Sequence, residues 1–339
     1  MGNKAMTEPK SLQEAIVYFS NPDNCIDYLA IRRWPDGKVL CPTCGSDKVK
    51  FNPARRLWQC STHHAKRQFS IKVGTVMEDS AIPLEKWLMA TWLVTNCKNG
   101  ISSYEIARDV KVTQKSAWFM LHRIRLAMQD DSLGAKMGTT GEGEVEVDEA
   151  FIGGRFANMH KSRRTALDRK RSETVDANGM KHLGKTAVHG ILDRDLRKVR
   201  AKVVSDVKRE TLQYEILNQV EFGAKLYTDK AVAYDELASL YVHDVVNHAM
   251  EYVRGRVHTN GLENFWSLLK RGLHGTYVAV EPFHLSRYVD EQVFRYNNRG
   301  TKENPIKDHD RFNLVVSQML GKRLTFAQLT GKEGAGTVH

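Results

Sequence analysis

The chain has 339 residues, 51 of them Lys or Arg against 40 Asp or Glu, a formal charge of +11. This length suggests two or three units at roughly 100–200 residues each, and the charge favours a polyanionic partner, nucleic acid first. A hydrophobic share of 41% with 27% charged residues argues against wholesale disorder. The longest apolar run, "WLMATWLVT" at 87–95, is about half of the ~20 residues that span a bilayer. The opening "MGNKAMTEPKSLQEA" lacks the apolar core of a secretory signal. The expectation is a cytoplasmic protein with no membrane partner, in which five cysteines serve as metal ligands or buried thiols.

In chain order, "LQEAIVYF" and "IDYLAIRRW" space apolar residues by three and four, so residues 1–36 read as a helical lead-in. Residues 37–80 follow as a zinc ribbon. Cys41 and Cys44, then Cys60 and His63, form C-x2-C-x15-C-x2-H, with "KVKFNPARRLWQC" supplying two short strands. Two-residue gaps let tight turns present both side chains to one tetrahedral Zn2+, which takes mixed thiolate and imidazole donors. His64 competes with His63, and the regular gap favours His63. Cys25 and Cys97 read as buried thiols.

Residues 81–132 predict three helices, the second opened by a capping box of Ser102 and Glu105. This is the layout of a helix-turn-helix, whose last helix would enter the major groove and present Thr113, Gln114, Lys115 and Trp118. A plain three-helix packing unit is the alternative.

The pattern then changes. In "GEVEVDEAFIGG" Val145 and Val147 alternate with Glu144, Glu146 and Asp148, as a strand requires. Two more strands, "TAVHGILDRD" and "KVRAKVVSDV", precede a helix in "KRETLQYEILNQVEF". A short strand ends at Asp229 with a helix after it, and "YVHDVVNHAMEYV" supplies one more strand. This order suits a mixed sheet flanked by helices, the ribonuclease-H arrangement, over residues 138–300. Inside it, 154–185 is a polar insertion in which Lys161, Arg163, Arg164, Arg169, Lys170 and Arg171 face one acid, Asp168, and which is expected to clamp a DNA backbone. Residues 301–339 read as a C-terminal segment and flexible tail.

Asp148 and Asp229 both fall at strand ends, which one sheet can bring together. In "HTNGLENFWSLLKRG" a helix would put Asn260, Glu263 and Lys270 on one face and leave Leu262, Phe265, Trp266 and Leu269 to pack on the sheet. Glu263 would then reach a metal held by the two aspartates, and Lys270 a phosphate.

Taken together, "RRWPDGKVLCPTCGS", "KNGISSYEIARDVKVTQKSAWFMLHRIR", "VEVDEAFIGG", "LYTDKAVAYDEL" and "HTNGLENFWSLLKRGLHGTYVAV" resemble the DDE-type insertion-sequence transposases with an N-terminal zinc ribbon, the ISXO-like group, over about residues 15–300. The resemblance implies a ribonuclease-H-like catalytic domain behind the ribbon and the helix-turn-helix, and metal-dependent 3′-end nicking followed by strand transfer into target DNA. It maps Asp148 and Asp229 to the first two acidic positions and Glu263 to the third, with Asn264 and Asn260 as alternatives and Lys270 seven residues on. It further implies two Mg2+, with Mn2+ substituting, one structural Zn2+, element ends and target DNA as partners, at least a dimer on DNA, and a nucleoid-associated location. The rival functions are a metal nuclease that does not join strands, and a DNA-binding regulator or inactive transposase relic.

Overall fold

The computed structural model describes residues 8–129, 134–139, 143–154, 161, 164–165, 184–229, 232–246 and 258–331. The chain divides into two units: residues 1–130 with 298–339, and residues 131–297.

The first unit opens with α1 (Leu12–Phe19), capped by the Ser11 hydroxyl, and α2 (Pro22–Arg33), capped by Asn21 with proline at its first position. A three-stranded antiparallel ribbon follows, β1 (Val49–Asn52), β2 (Leu57–Cys60) and β3 (Gln68–Phe69), one strand more than the sequence suggests. Trp58 pairs with Phe69 across it and stacks on that ring at 5.9 Å, and Trp34 and Phe51 close the small core. Next come α3 (Leu84–Asn96), α4 (Ser103–Asp109) and α5 (Gln114–Ala127). The capping box of Ser102 and Glu105 forms as expected, and Thr113 caps α5. Cys25 is buried, and burial pushes its thiol up to about 12, which suits an inert core residue.

The C-terminal segment returns to this unit. Its helices, numbered after the three of the second unit, are α9 (Asp308–Ser317) and α10 (Phe326–Leu329). Phe312, fully buried, lies 4.9 Å from the Trp92 ring and 5.8 Å from those of Phe19 and Tyr28. The buried Arg123 guanidinium donates to Leu324 O at 3.0 Å and Glu78 O at 2.9 Å. Residues 308–329 are therefore part of the N-terminal core. The tail expected to be flexible, "LTGKEGAGTVH", begins at Leu329, which is instead buried at the end of α10; residues 332–339 lie outside the described residues. Phe312→Ala should cost about 3–5 kcal/mol, as for other buried phenylalanines, and thermal unfolding of the full chain would show it as a lower first transition.

The second unit is a five-stranded sheet in the order β6-β5-β4-β7-β8. Its strands are β4 (Glu144–Ile152), β5 (Thr186–Asp193), β6 (Lys198–Val203), β7 (Lys225–Asp229) and β8 (Val242–Val246). The first three sequential strands form an antiparallel meander, and β7 and β8 add in parallel beyond β4. On one face Val145, Val147, Ile191 and Leu226 pack with Leu212 and Ile216 of α6 (Arg209–Gln219). On the other, Ala150, Val188, Leu192 and Val199 pack with α7 (Asn260–Gly272) and α8 (Leu285–Asn297). This is the mixed, helix-flanked sheet expected from the strand order, in the ribonuclease-H arrangement. The helix after Asp229 is a 3-10 helix, Val232–Ser239.

Candidate functional site

In the ribbon the donor atoms of Cys41, Cys44, Cys60 and His64 all lie within 4.8 Å of one another. Cys44 Sγ is 3.7 Å from Cys60 Sγ, and Cys41 Sγ is 3.4 Å from His64 Nε2. Donors at ~2.3 Å from a tetrahedral ion stand just under 4 Å apart, so the group fits zinc. The first pair sits on a loop closed by Gly45 N–H to Cys41 O (2.8 Å) and Cys41 N–H to Ser46 O (2.9 Å), with Gly45 at φ 69°. Burial works to raise the Cys41 thiol, but donors from the Thr43 and Cys44 backbone and from the Cys44 and Cys60 thiols hold it below its ordinary value. His64 Nδ1 is buried with no hydrogen-bond partner.

The imidazole that stands with the three thiols is His64, where the sequence favoured His63. His63 is exposed. The physical cause is the loop after β2: Cys60 N–H donates to Arg67 O (2.8 Å) and Arg67 Nε to Cys60 O (3.1 Å), so residues 61–66 form a loop pinned at its base. Side-chain direction there follows the loop, and the second histidine is the one turned inward.

Of the residues expected to read DNA, Thr113 accepts from Ser116 N (3.2 Å) as the α5 cap, and Gln114 Nε2 donates to Ser103 Oγ at 2.9 Å. Lys115 is exposed with its Nζ 5.0 Å from the Phe326 ring, and Trp118 meets His122 edge-on at 4.5 Å. In the insertion, Lys161 is exposed and Arg164 half-buried, whereas Arg163, Arg169, Lys170 and Arg171 lie outside the described residues.

The carboxylates gather on β4. Pleating puts Glu144, Glu146 and Asp148 on the face that meets α7. Glu146, 1% exposed, accepts from Arg194 Nε at 2.7 Å and from the Leu262 backbone N–H at 2.9 Å. Glu144 accepts from Arg194 Nη1 (3.3 Å) and the Tyr227 hydroxyl (3.2 Å). Arg194 Nη2 also donates to the carbonyl of His258, at the entry to α7, and lies 2.9 Å from that imidazole's Nδ1. One guanidinium, Arg194, thus bridges Glu144 and Glu146 and offsets part of their charge.

Asp148 is half-buried, and its Oδ2 accepts from Trp266 Nε1 at 2.9 Å. Val147 pairs in parallel with Thr228, so the next residue on each strand is Asp148 and Asp229, on neighbours ~4.8 Å apart. The Asp229 backbone ends β7, and its side chain lies outside the described residues. Asn260 and Glu263 on the first turn of α7 and Asn264 at the start of the second are exposed, and Lys270 is exposed on its last. Glu263 precedes Trp266 by three residues, hence on an adjoining turn of the same side. On the opposite face of β4, Glu149 accepts from the Tyr234 hydroxyl and lies 3.1 Å from His189 Nδ1.

Sequence reasoning missed Arg194 and the polar role of Trp266. Arg194 carries no motif, and an indole in an apolar stripe signals packing. Only the even spacing of Glu144, Glu146 and Asp148 hinted that more than one acid faces α7.

Comparison with known proteins gives three findings. Residues 141–297 match the family model of the ISXO2-like transposase domain, and residues 20–64 match the transposase zinc-ribbon domain. The chain is 26% identical over 259 residues to an uncharacterized protein in transposable element ISH50 of Halobacterium salinarum, across 75% of this chain and 84% of that protein. A solved simian T-cell lymphotropic virus intasome in complex with PP2A regulatory subunit B56 gamma aligns over 66% of this chain and 74% of that one, at 11% identity and a TM-score of 0.28.

Proposed function

Because the chain belongs to the DDE-type insertion-sequence transposases with an N-terminal zinc ribbon, we propose that it binds the ends of its element, nicks them at the 3′ side and joins them to target DNA. The observation that carries this reading is the meeting of Asp148, the end of β7 at Asp229 and the helix bearing Glu263.

Asp148, Asp229 and Glu263 are the residues proposed to hold two divalent cations, and hard carboxylate oxygens suit Mg2+ or Mn2+. Such ions supply Lewis acidity at the attacking and leaving oxygens of an in-line displacement. Asn264 and Asn260 are the alternatives to Glu263; an amide oxygen would contribute one negative charge fewer. Lys270, near the far end of the helix, is proposed to hold a phosphate. In nicking, a water oxygen bonds to phosphorus and the 3′-oxygen leaves; in joining, the freed 3′-hydroxyl attacks a target phosphodiester and its 3′-oxygen leaves in turn. Neither step needs a covalent enzyme intermediate.

The N-terminal half of α5, with Lys115 exposed, and the basic insertion from Lys161 are proposed to hold the DNA. Joining two ends implies at least a dimer on DNA, and the DNA substrate implies a cytoplasmic, nucleoid-associated location. Among the described residues no helix is long and apolar enough to cross a membrane.

The test is a labelled duplex carrying the ends of the element that flanks the gene, incubated with the full chain and Mg2+. Nicked and joined products are expected. Binding without cleavage would favour the regulator or relic, and cleavage without joining a nuclease.

A further inference from the structure

Helix α7 runs alongside β4 and is held to it at two points. Glu146 accepts from the Leu262 N–H, and Asp148 accepts from the Trp266 indole N–H, each at 2.9 Å. The spacing matches: two residues of strand advance ~6.6 Å and four residues of helix ~6 Å. A one-residue shift of the helix would break both bonds at once. Two glycines confirm how closely the surfaces meet. A Cβ on Gly190, which pairs with Asp148, would stand 2.6 Å from Trp266 Cζ2, and one on Gly261 would run into Leu192 and come within 2.9 Å of Glu146 Oε2. Thr259 leaves the helix without a side-chain cap bond, so a strand carboxylate does the work a capping residue would do locally.

We propose that Trp266, with Glu146 as the second anchor, is a positioning residue: its indole N–H orients the Asp148 carboxylate and sets the register in which Glu263 is presented to it. The proposal rests on the reading of Asp148 as a metal ligand. A buried indole N–H needs an acceptor in any case; what distinguishes positioning from mere satisfaction is an effect on metal binding. Groups that hydrogen-bond to ligating side chains typically contribute ~10–100-fold in metal affinity.

The experiment uses the full, zinc-loaded chain without DNA and titrates it with Mn2+ alone, counting free ion by electron paramagnetic resonance. Trp266→Phe keeps an aromatic ring in the packing and removes the N–H. Its Mn2+ affinity should fall about tenfold, and nicking of the labelled ends should be restored by raising the Mn2+ concentration, with zinc content unchanged. Should Trp266→Phe not fold, Gly190→Ala displaces the indole from Asp148 and is expected to act in the same direction. Unchanged Mn2+ affinity in a folded variant, while Asp148→Asn loses it, overturns the positioning role and leaves the metal reading standing. Unchanged affinity in Asp148→Asn itself overturns both.

Discussion

Asp148→Asn should reduce 3′-end nicking at least about a thousandfold, because metal-assisted charge stabilisation is worth several kcal/mol and each 1.36 kcal/mol is a factor of ten. The substitution is nearly isosteric, and the amide oxygen can still accept from Trp266 Nε1, so helix docking should survive. End binding, measured by gel shift, should survive, since the residues proposed to contact DNA, Lys115, Lys161 and Lys270, are untouched. Glu263→Gln should behave alike. Full activity in Glu263→Gln alongside a dead Asp148→Asn would transfer the third position to Asn264 or Asn260. Activity retained in Asp148→Asn would remove the carboxylate site altogether.

His64→Ala should weaken zinc binding by roughly a hundredfold or more, taking one donor of four from a structural site whose total is about 10–16 kcal/mol. The ribbon has little else to hold it: three short strands around Trp58. Zinc release to a chromophoric chelator would show the loss, and the first thermal transition should fall with it. His63→Ala is the matched control, exposed and one residue away, and should keep its zinc. The reverse result would return the fourth position to His63.

Much of the architecture is legible in the sequence. Period-two alternation marked β4, and the capping box at Ser102 marked α4, because both patterns reflect local backbone chemistry. Paired cysteines marked the ribbon, and strand order alone pointed to the mixed sheet. The apolar spacing of Leu262, Phe265, Trp266 and Leu269 predicts the buried side of a helix, and all four are buried.

Other features depended on residues distant in the chain. His64 rather than His63 joins the cysteines because a loop closed by Cys60 and Arg67 decides which imidazole turns inward. Residues 308–329 complete the N-terminal core because Phe312 fills a space between Phe19, Tyr28 and Trp92, which no local pattern reveals. Arg194 bridges Glu144 and Glu146 from 50 and 48 residues away. The sequence by itself determined the strands of the sheet in chain order and the capped start of α4, since these follow from periodicity, spacing and local capping. Tertiary structure alone decided which acids are held by Arg194, which one meets Trp266, and how α7 registers on β4, since those depend on side chains converging in space.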